Sequence, residues 1–220
     1  MTSYRNFLNH IRRFGVLNTA KEIMLRLHDW YCERLYNVET TASSHDFNAE
    51  TKDKNAHYYD TFHYSSCFYL LKYIPLPEET VLIDIGSGKA RFLIAAATKR
   101  FRKLIGVEFS DLVKVAEENL GKMRFRRTRD IEFIAGDAQQ YPIPHEVNVI
   151  FFNNPFKGTI LDKVISNIET SLQKSPRKIL IIYSNYLHFE EQIRGKDWIK
   201  VIHRGKLPQQ VSYGIYEAAQ

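Results

Sequence analysis

Residues Val81 to Arg91 read V-L-I-D-I-G-S-G-K-A-R, and no other stretch restricts the fold of this chain so strongly. An apolar strand carries Asp84 and ends at two glycines one residue apart, and a helix is expected to start near Lys89 or Ala90. A second apolar strand, Leu104 to Val107, ends in Glu108. Glycines at such a strand-to-helix turn let the backbone bend tightly and approach a ligand closely. The first turn of the helix offers N–H groups that have no partner within the helix. A carboxylate closing the second strand is placed to accept both hydroxyls of a ribose. The expectation is a site for a nucleoside-containing cofactor.

Two cofactor classes use this layout. A dinucleotide fingerprint requires Gly-x-Gly-x-x-Gly, because a pyrophosphate rests on the helix N-terminus. Here Ala90 and Arg91 stand where the third glycine belongs. Asp84 also sits two residues before Gly86, where its charge repels a pyrophosphate but suits an ammonium group. Through these residues the chain resembles the class I S-adenosylmethionine-dependent methyltransferases, whose first motif is acidic-x-Gly-x-Gly and whose second strand ends in an acidic residue. The resemblance implies S-adenosyl-L-methionine as cofactor. It implies that Asp84, Gly86, Ser87 and Gly88 surround the methionine moiety, that Glu108 holds the ribose, and that Arg91 and Phe109 belong to the same binding set.

The rest of the sequence carries an alternation of strands and helices. Apolar spacing over Asp111 to Arg124 predicts a helix capped by Ser110 or Asp111. Strands are expected at Ile131 to Ala135, Val147 to Phe152 and Lys178 to Tyr183, with a helix from Thr159 to Gln173. Trp198 to His203 and Val211 to Glu217 read as a hairpin around Gly205 to Gln209. The fold class is therefore α/β: a Rossmann-like, doubly wound seven-stranded sheet with a closing antiparallel hairpin and an N-terminal helical extension. The resemblance places Asp137 at the adenine amino group, with the Ala138 N–H beside it.

Asn153-Asn154-Pro155-Phe156 ends the fourth strand and resembles the Asn-Pro-Pro-Tyr/Phe motif of amino-group methyltransferases. It departs from that motif at Asn154. The resemblance implies that these four residues form the catalytic wall, with Asn153 also reaching the cofactor and the Phe156 ring stacking on substrate. An amine, a hydroxyl or a carboxylate all remain open as methyl acceptors.

The segment Asn55 to Pro75, with D-I-G-S-G-K-A-R-F, I-G-V-E-F-S and F-F-N-N-P-F, resembles a bacterial group of class I methyltransferases of mostly unassigned substrate, over roughly Arg34 to Tyr183. Asp84 to Gly88 and the Asn153-Asn154 pair are also similar to the non-SET histone-lysine methyltransferases, a likeness of cofactor handling. In many class I enzymes the segment upstream of the first strand folds over the cofactor. On that basis Tyr59, Thr61 and Tyr64 are expected to line the methionine tail, with His57 or His63 available as a base. A helix is expected from Ser65 to Tyr73. Aromatic packing of that helix on the sheet is an equally weighted reading.

With 220 residues, the chain is long enough for one α/β domain (55 to 220) behind an extension and linker (1 to 54). Residues 1 to 36 read as two helices broken near Gly15, and Val38 to Asn55 as linker. A cap over the substrate site is the favoured role for the helices, ahead of a dimerisation arm or a surface helix for anionic membrane. Cys32 and Cys67 have no metal or redox spacing, and no secretory or transmembrane run stands out, so a cytoplasmic setting is expected. The net charge of +6 concentrates in Lys99 to Lys103 and Lys122 to Arg129. Both runs precede strands and so fall on the amino edge of the sheet, away from the cofactor. Binding of nucleic acid or anionic lipid there is the less favoured reading against solvated helix ends.

The combined expectation is methyl transfer to a small molecule or saccharide precursor. Transfer to protein or nucleic acid, a non-catalytic cofactor-binding module, and a nicotinamide oxidoreductase are the alternatives.

Overall fold

The apolar segments assemble into one seven-stranded sheet, of order β3-β2-β1-β4-β5-β7-β6. The computed structural model describes residues 15–42 and 62–220. The parallel strands are β1 (Val81–Ile85), β2 (Lys103–Glu108), β3 (Ile131–Ala135), β4 (Val149–Asn153) and β5 (Lys178–Ser184). Strands β6 (Ile199–Lys206) and β7 (Ser212–Ala219) close the sheet as a hairpin, with β7 antiparallel to both β5 and β6. This is the expected fold class. The chain winds outward from β1 to β3 and then returns to β4 on the other side of β1. That reversal opens a crevice beyond the carboxyl ends of β1 and β4.

The helices are α1 (Val16–Tyr36), α2 (Tyr64–Leu70), α3 (Arg91–Ala97), α4 (Leu112–Lys122), α5 (Gly158–Lys174) and α6 (Leu187–Gln192), numbered among the described residues. Alternate strand residues feed two cores. Leu82, Leu104, Phe151 and Ile182 face α2 and α3, while Ile83, Ile105, Ile150 and Ile181 pack with the apolar side of α5. The Phe92 ring of α3 stacks on Phe151 of β4, with centroids 3.6 Å apart, which seats α3 directly on the sheet. Burial on both faces explains why β1 and β4 read as nearly continuous apolar runs.

Several boundaries differ from expectation. Strand β4 starts at Val149, because the Val147 amide is spent on a turn to the Pro144 carbonyl. The helix expected to Tyr73 ends at Leu70 and continues as a 3-10 turn, Leu71–Tyr73. Helix α6 has six residues, too few to show a period, and escaped the sequence reading. The first of the two expected N-terminal helices lies outside the described residues, as does the domain boundary at 54/55. The start of the expected linker is packed: Val38 and Thr40 are buried.

Candidate active site

The crevice is floored by the β1–α3 loop. Gly86 has φ +80°, and a side chain there would bring its Cβ within 2.5 Å of Pro155 Cβ. The glycine is therefore required both by its left-handed backbone and by the close approach of the loop after β4. The Gly86 and Ser87 amides donate to the Val107 carbonyl, at 2.9 and 3.1 Å. The Gly88 amide donates to Glu108 Oε2 at 2.8 Å. Ser110 donates its amide and hydroxyl to Glu108 Oε1, at 2.9 and 2.7 Å. Three of the roughly four acceptor positions of that carboxylate are thus used to orient it across the crevice. Phe109 beside it is 68% exposed and presents an open ring.

Asp84 is buried in β1. Among the described residues no hydrogen bond or ion pair reaches its carboxylate. Burial, and after it the nearby Glu108 charge, hold its pKa well above the usual carboxylate range. A buried acid beside a second acid, with no cation against it among the described residues, suits a cationic ligand group. On the third strand, Asp137 accepts from the Gln139 amide at 2.9 Å and from the Gln139 side chain at 3.1 Å, so its carboxylate closes a turn next to Ala138. The Gly136 amide donates to the Glu108 carbonyl at 2.9 Å, which joins this turn to the end of β2.

At the end of β4, Asn153 lies opposite Ser184 in the register with β5. Asn154 has φ 46°, a left-handed backbone. Among the described residues, its Oδ1, the Ser184 hydroxyl, the Ser87 hydroxyl and, in α2, the Ser65 hydroxyl are buried without a hydrogen-bond partner. Buried orphan oxygens are costly, and those of Ser87, Asn154 and Ser184 stand at the carboxyl ends of β1, β4 and β5, where a bound ligand would complete the bonding. Ser184 was missed in the sequence. The signal was its place at the carboxyl end of β5, next to the fourth-strand motif.

Three expected site residues are placed elsewhere. Arg91 is engaged by α1: its guanidinium is buried, with Nη1 3.1 Å from Asp29 and Nη2 3.0 Å from Glu33. It also donates to Thr40, Thr41 and the Phe62 carbonyl. Tyr64 is fully buried beneath that guanidinium, 4.8 Å from it, with its hydroxyl on Thr40. Its ring also packs against Tyr36 of α1 and Phe68 of α2. The Phe156 ring is packed in the core, 7% exposed and edge-on to Phe152. His63, a candidate base, holds Asp29 at 2.6 Å. Tyr59, Thr61 and His57 lie outside the described residues.

A doubly wound sheet with a glycine turn after β1, a carboxylate at the end of β2 and a buried acid uncompensated among the described residues is the layout of a nucleoside-cofactor enzyme. A family model described as "Methyltransferase domain" matches residues 76–212, more than half of the chain. The chain belongs to this methyltransferase family and is a class I S-adenosylmethionine-dependent methyltransferase. Similar solved structures include an RNA methyltransferase from Salinibacter ruber in complex with S-adenosyl-L-homocysteine, at 21% identity and TM-score 0.53, covering 70% of this chain and 90% of that one. They include a SAM-dependent methyltransferase from Aquifex aeolicus, at 14% identity and TM-score 0.52, covering 70% and 89%. A ribosomal protein L11 methylase from Lactobacillus delbrueckii subsp. bulgaricus matches at 16% identity and TM-score 0.53, covering 70% and 77%.

The residues present fit S-adenosylmethionine. Asp84 would supply the anionic counterpart for its cationic methionine end, Glu108 would accept from the ribose, and the exposed Phe109 ring would offer a stacking surface. When bound, the cofactor supplies a methyl group on a sulfonium, open to in-line attack. The protein's share is alignment and exclusion of water, because the leaving group needs no protonation.

Proposed function

We propose that this enzyme methylates a small molecule or saccharide precursor at an amine or hydroxyl held against Asn153, Asn154 and Ser184. In this reading Asp84, Gly86, Ser87, Gly88, Glu108, Phe109 and the Asp137–Ala138 turn hold the cofactor. Asn154 Oδ1 is an acceptor with no donor among the described residues, so it suits an N–H or O–H of the methyl acceptor. Its bond orients the lone pair toward the methyl without removing the proton beforehand. The observation that carries the preference for a small acceptor is the location of the cations. Arg100 and Arg102 precede β2, and Arg124 to Arg129 precede β3, at the amino edge of the sheet opposite the crevice. A polyanionic substrate would be drawn to the wrong end of the domain.

A second reading is transfer to RNA or protein, favoured by the names of the similar structures from Salinibacter ruber and Lactobacillus. Incubation with radiolabelled S-adenosylmethionine and either a pool of small amines and glycosides or total RNA and protein separates the two. Label in the small-molecule fraction, lost in Asn154→Ala with cofactor affinity kept, supports the proposal. Label only in macromolecules overturns it.

A further inference from the structure

Helix α1 is built inside out. At about 100° per residue, Leu17, Ile23, Met24, Leu27, Trp30 and Tyr31 fall within one arc of about 140°, and all six are exposed, Leu17 at 87%, Met24 at 66% and Trp30 at 57%. The opposite side is polar and packed. Asp29 and Glu33 are held by Arg91, and Glu22 pairs with Arg26 and lies 3.6 Å from His63. All three acids of the helix thus point inward, and the outward face and its borders carry the cations Lys21, Arg26 and Arg34. The Arg34 guanidinium lies over the Trp30 ring, 5.2 Å from its centroid.

The C-terminal end of α1 is joined to the basic loop that follows α4. Asn37 donates to the Lys122 carbonyl at 3.0 Å, and the Arg124 amide donates to the Tyr36 carbonyl at 2.8 Å. That loop carries exposed Arg124, Arg126, Arg127 and Arg129 around an exposed Phe125 of left-handed backbone, φ 60°. The sequence ahead of α1 adds Arg5, Arg12 and Arg13 with no acidic residue through Phe14.

We propose that the outward face of α1, with the adjoining basic loop, docks this enzyme on the surface of an anionic lipid bilayer. An aliphatic and aromatic stripe bordered by cations matches an interfacial helix, whose apolar side enters the acyl boundary while Lys and Arg meet lipid headgroups. A nucleic acid satisfies the arginines but leaves Leu17, Met24 and Leu27 in water. A second copy seated face to face sets Arg34 and its neighbours against the same cations. No described helix is long and apolar enough to cross a membrane, so the contact is with the surface.

The test is flotation of the full chain with vesicles of phosphatidylcholine alone or mixed with phosphatidylglycerol, at low and physiological salt. The proposal expects binding to the mixed vesicles only, weakened by salt, with a blue shift of tryptophan emission that Trp30→Phe removes. Leu27→Glu with Trp30→Glu should abolish flotation, and Arg124→Glu with Arg126→Glu should weaken it by roughly tenfold or more. Both pairs should keep parental affinity for S-adenosylhomocysteine, which shows that they fold. No flotation of the parent at low salt overturns the proposal, as does parental flotation of the Leu27→Glu, Trp30→Glu protein. It is also overturned by a dimer in sedimentation that this pair dissolves while lipid goes unbound, or by RNA binding that the pair abolishes. Shielding of Trp30 from acrylamide in the lipid-free protein means that this face is already covered, which equally overturns it.

Discussion

Arg91→Met separates two roles that the sequence leaves superimposed on one residue. Methionine keeps most of the buried stem and removes the cation. Arg91 is 3% exposed, and the Asp29 and Glu33 side chains facing it are 9% and 17% exposed. Removing one partner of a buried ion pair costs roughly 3–5 kcal/mol, because the remaining charge stays desolvated. Neither acid is left bare: Asp29 keeps His63 and the Tyr64 amide, and Glu33 keeps the Thr40 amide and hydroxyl. The lower end applies, about 3 kcal/mol, or about a hundredfold in the folding equilibrium. The assay is urea unfolding alongside calorimetric titration with S-adenosylhomocysteine. The expected result is a lower midpoint, cofactor affinity near the parental value, and partial recovery of stability when Asp29→Asn and Glu33→Gln are added. Unchanged stability with lost cofactor affinity would refute this reasoning and return Arg91 to the cofactor.

Asp84→Asn should trade binding for stability. The folded pKa of Asp84 is raised, so its burial is best tolerated below the unfolded value of 3.8, and the parent loses stability as pH rises from there through the folded value. The variant should lack this slope in pH-dependent melting and bind S-adenosylmethionine poorly at every pH, whereas parental affinity should fall on acidification. Asp29 has the opposite sign. Burial alone raises its pKa, but the His63 hydrogen bond and the Arg91 charge outweigh it and the net shift is downward. Its contribution is therefore present above 3.8 and lost as pH falls below, and Asp29→Asn should flatten the acid limb of a stability profile. Gly86→Ala should destabilise by roughly 2–4 kcal/mol, from the left-handed backbone and the Pro155 contact, and lower turnover by displacing the loop after β4. Scanning calorimetry and a turnover assay check both parts, and a parental melting point would contradict the contact.

The sheet was legible because its central strands are buried on both faces and so read as unbroken apolar runs, and because Gly86, Gly88 and Glu108 sit where strand ends must be. Local chemistry of that kind survives in a sequence. Partners distant along the chain do not. Arg91 stands at a cofactor-proximal helix start, yet Asp29, 62 positions away, claims its Nη1. Phe156 follows a motif that elsewhere presents an aromatic ring outward, and here the Phe152–Tyr183–Phe189 stack offers it an apolar slot. Ile23, Leu27, Trp30 and Tyr31 stand at helical spacing in the sequence, but periodicity gives a face and not its direction. In this helix the charged side is the one drawn inward, because Arg91 needs counter-ions.

The most direct test of the central claim is calorimetric titration of S-adenosylhomocysteine into the parent and into Glu108→Ala. The account predicts saturable one-to-one binding to the parent and its loss in a variant that still folds. No binding to the folded parent, or undiminished binding without the Glu108 carboxylate, would contradict the assignment of this crevice as the cofactor site.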